Sequence, residues 1–206
     1  MNRCLPALVV LLCTQTLASG ADPEIVLEDP LRGKLGAGWE WLREYAKAWR
    51  NTEKGLEIMV QPGLADSVKN ALARTAPDRS AGKFAIDVTV EFTSPPSNQY
   101  EQGGITWYQG NKPVFKLVHE FIDGKTYVIP GNKPTSIPVV QLRLIVNQGE
   151  YVAQYRPAAE GEFLTAAAGK LPAGKDEKVS IQCYNGPANA EHWVRFSDFQ
   201  ITKLEK

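Results

Sequence analysis

Cysteine is scarce in this chain, and neither sign of charge is in excess. Only three cysteines occur in 206 residues, and two of them, Cys4 and Cys13, lie in an apolar N-terminal run. If that run is removed, Cys183 remains alone and no intramolecular disulfide can form, so an ordinary core must stabilise the fold. The 23 basic residues are balanced by 23 acidic ones. That balance leaves no basic stripe and argues against nucleic acid as a partner.

The sequence also lacks a nucleophile motif, a phosphate-binding loop and any metal-binding spacing. Its two histidines, His119 and His192, stand far apart. His119 shares the parity of Leu117 and Phe121 along its strand, which predicts a core or edge histidine. His192 lies beside a tryptophan and is expected at the rim. Neither histidine fits a zinc site.

A structural calcium ion is the one cofactor that the sequence brings into consideration; otherwise none is predicted. Glu28 and Asp29 near the start would meet Asp198 near the end if the terminal strands pair. Carboxylate oxygens suit calcium. The alternative is that Asp29–Pro30 and Ser197–Asp198 are simply turn residues.

No apolar run is long enough to span a bilayer, which takes roughly 20 residues. Met1–Arg3 is a short basic start, Cys4–Leu17 is mostly apolar, and Ala18–Ala21 offers small residues for cleavage. This pattern is typical of a signal peptide. We therefore expect a secreted or periplasmic protein with a signal peptide at 1–21, a single domain at 22–206, and no membrane contact after cleavage. The oligomeric state is left open.

Alternating apolar and polar residues predict strands along most of the chain. The clearest is Phe84–Phe92, in which every second residue is apolar. Val140–Val146 and Val179–Tyr184 alternate likewise, and Cys183 has the apolar parity that predicts burial. Trp193–Thr202 reads as a last strand interrupted near Ser197–Asp198. Many short strands at this spacing indicate an all-β antiparallel sandwich.

Two further segments contain good helix formers, Glu40–Lys47 and Leu64–Arg74. Neither shows an apolar stripe at helical spacing. We therefore predict loop or strand for both.

The most informative stretch is a predicted hairpin made of Asn98–Gln109 and Val114–Phe121, joined by a turn at Gly110–Pro113. Its period of two separates two faces. One face carries large apolar side chains, among which Trp107 is expected in the core. The other face carries Gln102, Thr106, Tyr108, Lys116 and Glu120. Amides, a phenol, an ammonium and a carboxylate on one face could recognise a polyhydroxylated ligand. Gly103 and Gly104 would allow a ligand or a neighbouring backbone to approach closely, or would form a β-bulge.

A series of short motifs resembles, in matching order, the concanavalin A-like sandwich domains appended to family-43 β-xylosidases and their uncharacterised stand-alone relatives. The motifs are Gly38–Glu44, Ala48–Arg50, Gly55–Ile58, Tyr100–Ile105, Phe115–Leu117, Val140–Leu144 and Phe196–Ile201. The resemblance covers roughly residues 25 to 204. It implies a two-sheet antiparallel jelly roll with one concave face, and it favours a strand at Asn70–Arg74. Gln141 stands where many relatives carry tryptophan, so sugar stacking is not carried over to that position.

The candidate ligand-binding residues are those that lie opposite the apolar parity of their strands, together with two from the opening motif. They are Trp41, Arg43, Gln102, Tyr108, Lys116, Glu120, Gln141, Arg143, Gln182 and Tyr184. The alternative is an ordinary solvated sheet face. Trp41 is the best candidate for a platform under a sugar ring, although burial is the default use of tryptophan. Arg143 could pair with Glu120 to order the sheet, or bind a ligand with its planar guanidinium.

Catalysis receives little support from the carboxylates. Asp87 and Glu91 share one strand face, but at ~3.3 Å per residue they stand roughly 13 Å apart, beyond either glycosidase geometry. The sequence therefore favours a non-catalytic carbohydrate-binding domain. A glycoside hydrolase or lyase acting in the same groove is the first alternative. A structural or protein-binding sandwich is the second, and it would be favoured if the protein's own loops cover the concave face.

Overall fold

The computed structural model describes residues 23–157 and 161–204. The expected signal peptide at 1–21 therefore lies outside the described residues. The predicted domain at 22–206 is described except for residues 22, 158–160 and 205–206. Within the described part, no helix is long and apolar enough to cross a membrane.

Fifteen strands form two antiparallel sheets, which confirms the predicted all-β antiparallel sandwich. The eight-stranded sheet contains β1 (Glu24–Asp29), β3 (Trp49–Thr52), β4 (Gly55–Met59), β6 (Lys83–Phe92), β11 (Val139–Asn147), β12 (Glu150–Pro157), β13 (Leu164–Lys170) and β15 (Trp193–Leu204). The seven-stranded sheet contains β2 (Glu40–Leu42), β5 (Ala71–Thr75), β7 (Gln102–Gln109), β8 (Lys112–Ile122), β9 (Lys125–Ile129), β10 (Lys133–Thr135) and β14 (Glu177–Tyr184). A short 3₁₀ helix covers Ala46–Ala48.

The strand order shows how distant parts of the chain meet. In the seven-stranded sheet the order is β10-β9-β8-β7-β14-β5-β2, so the hairpin β7–β8 has β14 as its other neighbour. In the eight-stranded sheet the order is β13-β12-β11-β6-β15-β4-β3, with β1 also paired to β15. The predicted strand at Asn70–Arg74 is confirmed by β5, and Glu40–Leu42 is also a strand.

The last strand carries the interruption that its sequence predicts. The register of β15 on β6 shifts between Ser197 and Gln200, and Asp198 has a φ of 53°. Before this bulge β15 pairs with β4, and after it β15 pairs with β1. The bulge therefore lets one long strand serve two partners on the same edge.

The core lies between the inner faces of the two sheets. Ile86, Val88 and Leu142 from the eight-stranded sheet, and Trp107 and Ile181 from the seven-stranded sheet, are fully buried. Each has the apolar parity of its strand, so period-two alternation placed these side chains correctly. Burial of the Trp107 ring alone contributes a large apolar area.

Candidate ligand-binding site

Six of the ten candidate residues lie on the outer face of the seven-stranded sheet. They are Gln102 and Tyr108 on β7, Lys116 and Glu120 on β8, and Gln182 and Tyr184 on β14. Their strands are direct neighbours, and Gln102 stands opposite both Glu120 and Tyr184. The structure thus brings these six positions together on one face.

This face is not an ordinary solvated one. Gln102, Tyr108, Glu120, Gln182 and Tyr184 are each at most 4% exposed. Polar side chains buried this deeply must find hydrogen-bond partners within the protein. The face therefore contains an organised polar network.

A loop formed by residues 61–70 covers one half of the face. The hydroxyl of Tyr108 lies 2.5 Å from the main-chain oxygen of Ala65 and 2.9 Å from the side-chain oxygen of Gln182. The side-chain nitrogen of Gln182 also donates to Ala65, at 3.3 Å. No pattern in residues 61–70 predicted this contact, because it joins positions 117 residues apart.

Arg43 braces the covering loop. Its Nε donates to the main-chain oxygen of Val68 at 2.7 Å, and Nη2 lies 3.4 Å from both the Ala65 oxygen and the Tyr108 hydroxyl. The loop is held at its far end by Asn70, whose side chain bonds the main chain of Tyr45. The Arg43 guanidinium is thus hydrogen-bonded to other parts of the protein.

The position predicted for Trp41 is wrong. Trp41 pairs with the core residue Leu72 across β2 and β5, and therefore shares its inward parity. Its ring packs 4.8 Å from that of Trp49 and contacts the hydrophobic core. Packing of the partly buried ring against the core has prevailed over display on the outer face.

Lys116 joins Gln102 and Glu120 in a charged cluster at the other side of the face. Its Nζ donates to the side-chain oxygen of Gln102 at 2.7 Å and to Glu120 Oε2 at 3.1 Å. Gln102 in turn donates to Glu120 Oε1 at 2.9 Å. The Glu120 side chain is 6% exposed and the Lys116 side chain 35%, so the lysine lies on the solvent side of the cluster.

A cavity of about 290 Å³ opens between the covering loop and this cluster. Its lining consists of Ala65, Thr106, Pro113, Val114, Phe115, Lys116 and Tyr184. Thr106 is fully buried, and its hydroxyl has no hydrogen-bond partner among the residues that the structure describes. An unpaired buried hydroxyl costs free energy unless a ligand or water satisfies it. Thr106 was absent from the candidate residues, although its strand parity matches theirs.

Tyr184 can serve this cavity only as a neutral phenol. Burial, assisted by the nearby Glu120 and Tyr108, raises the pKa of Tyr184 far above its ordinary value. The hydroxyl therefore stays protonated at neutral pH, so it can donate and accept hydrogen bonds but cannot act as a base.

The absence of a side chain at Gly104 lets the backbones of β7 and β8 lie close together. A Cβ atom at this position would lie 2.3 Å from the main-chain oxygen of Leu117 on β8. The close approach expected at this glycine is thus made by a neighbouring backbone, and the bulge between β7 and β8 lies elsewhere, between Trp107 and Tyr108.

Gln141 and Arg143 lie on β11 of the eight-stranded sheet, so the predicted single site of ten residues is wrong. Arg143 forms a two-pronged ion pair with Asp87, at 2.8 Å from Nε and 2.7 Å from Nη2. The expected partner Glu120 is on the other sheet. The alternative of an arginine–carboxylate pair that orders the sheet is correct in kind, but Asp87 is the carboxylate.

Arg143 belongs to an array on the outer face of the eight-stranded sheet that we call the arginine ladder. It contains Arg50, Glu57, Arg195, Glu91, Asp87, Arg143, Phe163, Arg156 and Gln141. The Phe163 ring lies under the guanidinium groups of Arg143 and Arg156, at 3.8 and 4.5 Å from its centroid. Burial raises the pKa of Glu57, but hydrogen bonds and charges from Arg195 and Arg50 outweigh it and hold that pKa below its ordinary value.

The two histidines have separate environments. His119 is fully buried on the inner side of β8, bonded through Nε2 to Thr135 Oγ1 at 2.8 Å, which confirms a core histidine. Burial lowers its pKa to about 4. His192 lies 2.8 Å from Oε1 of Glu101, a carboxylate that is fully buried. His192 is 14% exposed along its side chain, which agrees with a rim position.

The terminal strands pair as expected, but their carboxylates are occupied by donors. Asp29 accepts hydrogen bonds from the main chain of Leu31 and Gly36 and from Trp39 Nε1 at 2.7 Å. Asp198 pairs with Arg32 at 2.8 Å. N–H groups already donate to these carboxylate oxygens. The donors stabilise the negative charge of the carboxylates and stand where a calcium ion would have to bind. Across the described ranges, no group of three or more histidine, cysteine or acidic side chains is arranged to hold a metal.

A larger cavity of about 940 Å³ lies at one end of the sandwich, away from the predicted site. Phe92, Phe121, Ile137 and several prolines make it mostly apolar. The smaller cavity is mostly apolar too, but it lies beside the buried polar network of the seven-stranded sheet and is lined by Thr106, whose hydroxyl is unpaired among the described residues. We therefore take the smaller cavity as the candidate site.

Comparisons with known proteins give matches only at the level of structure. No protein-family model matches the chain, and no curated protein sequence matches it either. Among solved structures, the GH43 BlXynB protein from Bacillus licheniformis is similar at a TM-score of 0.70 and 17% identity, covering 85% of this chain and 39% of that one. The Bacteroides ovatus protein described as Xyloglucan PUL GH43B is similar at 0.67 and 17%, covering 92% and 42%.

A third similar structure is the alginate lyase AlgAT5 of polysaccharide lyase family 7. Its TM-score is 0.54 at 9% identity, with 82% of this chain and 95% of that chain covered. At such identities the similarity establishes the sandwich fold alone, and it confirms the fold implied by the family-43 resemblance. The chain spans about two fifths of the length of the two GH43 proteins.

Proposed function

We propose that this chain is a non-catalytic carbohydrate-binding domain whose ligand site is the cavity around Thr106. The buried Thr106 hydroxyl, with no partner among the described residues, carries the proposal. A sugar hydroxyl is the kind of group that would satisfy it, because it both donates and accepts. Thr106 has no exposed surface, so binding requires that neighbouring side chains of the cavity move aside. The Tyr184 phenol and the Lys116 ammonium supply further polar contacts in the same cavity. Structural similarity to glycoside hydrolase and lyase proteins supports a carbohydrate ligand.

The chemistry of the cavity supports binding over catalysis. A glycosidase of the common kind needs two carboxylates flanking the bond to be cleaved. Around this cavity the described residues offer Glu120, whose charge is already compensated by Lys116. A lyase needs a base, and the high pKa of Tyr184 keeps that phenol protonated. His119 lies on the inner side of the sheet and cannot reach the cavity.

Affinity electrophoresis on xylan, arabinan, glucan and sulfated polysaccharides tests the proposal. We expect at least one polysaccharide to retard the protein. Thr106→Val, which keeps the shape and removes the hydroxyl, should abolish that retardation. Arg143→Lys on the other sheet is the matched control and should leave it unchanged. Absence of retardation by every polysaccharide would reject carbohydrate binding. Release of reducing ends that Glu120→Gln abolishes would establish an enzyme instead.

A structural or protein-binding sandwich is a second candidate, favoured by the covering loop at residues 61–70. The loop buries Tyr108 and Gln182, which a carbohydrate groove would otherwise expose. If this candidate is correct, Thr106→Val changes the stability of the protein and leaves its retention on every polysaccharide unchanged. The same electrophoresis therefore separates the two.

We further propose that the protein acts outside the cytoplasm, on the strength of the basic and apolar pattern at its N-terminus. N-terminal sequencing of protein recovered from the exported fraction should start near Ala21 or Asp22. Full-length protein found only inside the cell would reject export.

A further inference from the structure

We infer that the covering loop at residues 61–70 is a lid, and that the carboxylate of an acidic sugar displaces it and takes the place of the Ala65 main-chain oxygen. The inference rests on the proposed carbohydrate function and adds a carboxylate subsite beside the cavity at Thr106, which Ala65 also lines. It depends on the donors that meet at Ala65, on the charge of Arg43, and on the few contacts that hold the loop.

Three donors converge on the main-chain oxygen of Ala65. The Tyr108 hydroxyl lies 2.5 Å from it, the side-chain nitrogen of Gln182 3.3 Å and Nη2 of Arg43 3.4 Å. A carbonyl oxygen has two lone pairs, so it matches two donors and not three. A carboxylate has two oxygens with about four acceptor sites. The three donors are therefore better suited to a carboxylate than to the carbonyl that they contact.

An anion at this place would also balance the charge of the face. Lys116 is paired with Glu120. Lys178 is paired with Glu40. Arg43 bonds main-chain oxygens and a phenol, and within residues 23–157 and 161–204 no carboxylate forms an ion pair with it. Hydrogen bonds between a guanidinium and a carboxylate are about twice as strong as those between neutral groups. Arg43 is also exposed, so a ligand reaches it from solvent.

Few contacts hold the covering loop between its two ends. Val68 is the one apolar side chain of the loop that is buried, at 2% exposed, whereas Leu64 is 61% exposed. The bonds from the face end on the main-chain oxygens of Ala65 and Val68. Segments with few buried apolar contacts open at a small cost in free energy. A ligand that accepts from the same donors replaces these bonds, and the loop's only carboxylate, Asp66, moves away with the loop.

Calorimetric titration of the full chain with acidic oligosaccharides and their methyl esters tests this inference. The probes are tetragalacturonate and glucuronate-substituted xylotetraose. Esterification removes the charge of the carboxylate and keeps the sugar. We expect at least one acid to bind at least about tenfold more tightly than its own ester.

Two variants test the donors and the lid separately. Arg43→Gln removes the charge, so the preference for the acid over its ester should fall below about threefold. Val68→Ala removes part of the buried anchor of the loop and raises the open fraction. The apparent affinity for the acid should therefore rise by about three- to tenfold. Val146→Ala in the eight-stranded sheet is the matched control, since Val146 is also buried. It should lower the melting temperature and leave the affinity unchanged.

The outcomes distinguish this inference from the function on which it rests. Absence of binding to every sugar, acidic or neutral, rejects the proposed function and the subsite with it. Retardation by a neutral polysaccharide without preference for either acid over its ester rejects the carboxylate subsite and leaves carbohydrate binding intact. A preference for the acid that persists in Arg43→Gln would place the carboxylate elsewhere and reject the subsite. Unchanged or weaker binding of the acid to Val68→Ala would reject the lid.

Discussion

The two outer faces of the sandwich both carry polar side chains at alternating positions, yet they use them differently. On the seven-stranded sheet the groups are mainly amides and phenols, they are almost completely buried, and a loop covers half of them. On the eight-stranded sheet the arginine ladder pairs its charges across neighbouring strands. Its carboxylates Asp87 and Glu57 are also buried, but the arginines that pair with them remain partly exposed to solvent.

The difference follows from what each kind of group tolerates. A neutral amide or phenol can be buried if it is hydrogen-bonded, whereas burying a charge costs far more. The covered face can therefore hold a small open cavity beside buried polar side chains, among them Thr106 and Tyr184. The eight-stranded sheet carries a cavity of about 450 Å³ between β11, β12 and β13, but within the described residues no unpaired buried hydroxyl lines it. Burial of neutral polar groups, more than polarity itself, distinguishes the candidate site.

The largest expected effect is the loss of folding stability in acid, to which buried groups on the two sheets contribute in different pH ranges. His119 has a pKa of about 4 in the folded protein against an ordinary value of 6.5. Between pH 6.5 and pH 4 the unfolded chain binds a proton at His119 and the folded chain does not. The free energy of unfolding therefore falls as the pH drops through this range. The loss from His119 is about 3 kcal/mol. The carboxylate of Glu57 in the ladder, whose pKa is lowered, contributes a loss only below about pH 4.5.

Urea unfolding between pH 7 and pH 4 measures this loss for the wild type and for His119→Gln. We expect the variant to lose the greater part of the slope between pH 6.5 and pH 4. A slope that is equal in wild type and His119→Gln would show that other groups dominate acid unfolding.

Removal of the Tyr108 hydroxyl should have the next largest effect. Tyr108→Phe leaves the Ala65 oxygen and the Gln182 side chain without this partner, at a cost of about 2 kcal/mol. The melting temperature should fall by about 4–8 °C. Tyr127→Phe, on β9 of the same sheet, is the control and should change it little, since no hydrogen bond of the Tyr127 hydroxyl is seen within the described residues. Equal melting of both variants would contradict an organised network under the loop.

Arg143→Lys should have a smaller effect, because the ladder remains partly solvated. The change keeps the charge but loses the two-pronged geometry with Asp87. With 31% of the Arg143 side chain exposed, we expect a loss of about 1 kcal/mol or less. Thermal melts should show this loss shrinking at high salt, with unchanged retention on polysaccharide. Weakened retention would return Arg143 to the ligand site.

The smallest expected effect concerns Cys183, which should make the fold indifferent to reductant. The thiol is fully buried, and burial, with Glu101 nearby, raises its pKa well above the ordinary value. A buried, protonated thiol is a poor nucleophile and does not form intermolecular disulfides. Melts with and without a reducing agent should coincide. A lower melting temperature in reductant would reveal a disulfide and contradict this burial.

The amino-acid sequence by itself determined the strands and their faces. Alternation along Phe84–Phe92 and along the β7–β8 hairpin is a local property, because successive side chains in a strand point to opposite sides whatever the strand's neighbours are. The same rule placed Trp107, His119 and Cys183 on inner faces, and the break at Ser197–Asp198 marked a bulge. Six candidate site residues could be found in this way.

Only the tertiary structure decided which strands share a sheet and what covers them. Arg143 and Glu120 have the same parity but stand on different sheets, and parity carries no information about strand partners. The bond between Gln182 and Ala65 spans 117 residues, so no local pattern could place the loop over the face. The cavity at Thr106 exists because of that loop. Its position therefore depends on long-range packing, which a period of two residues cannot encode.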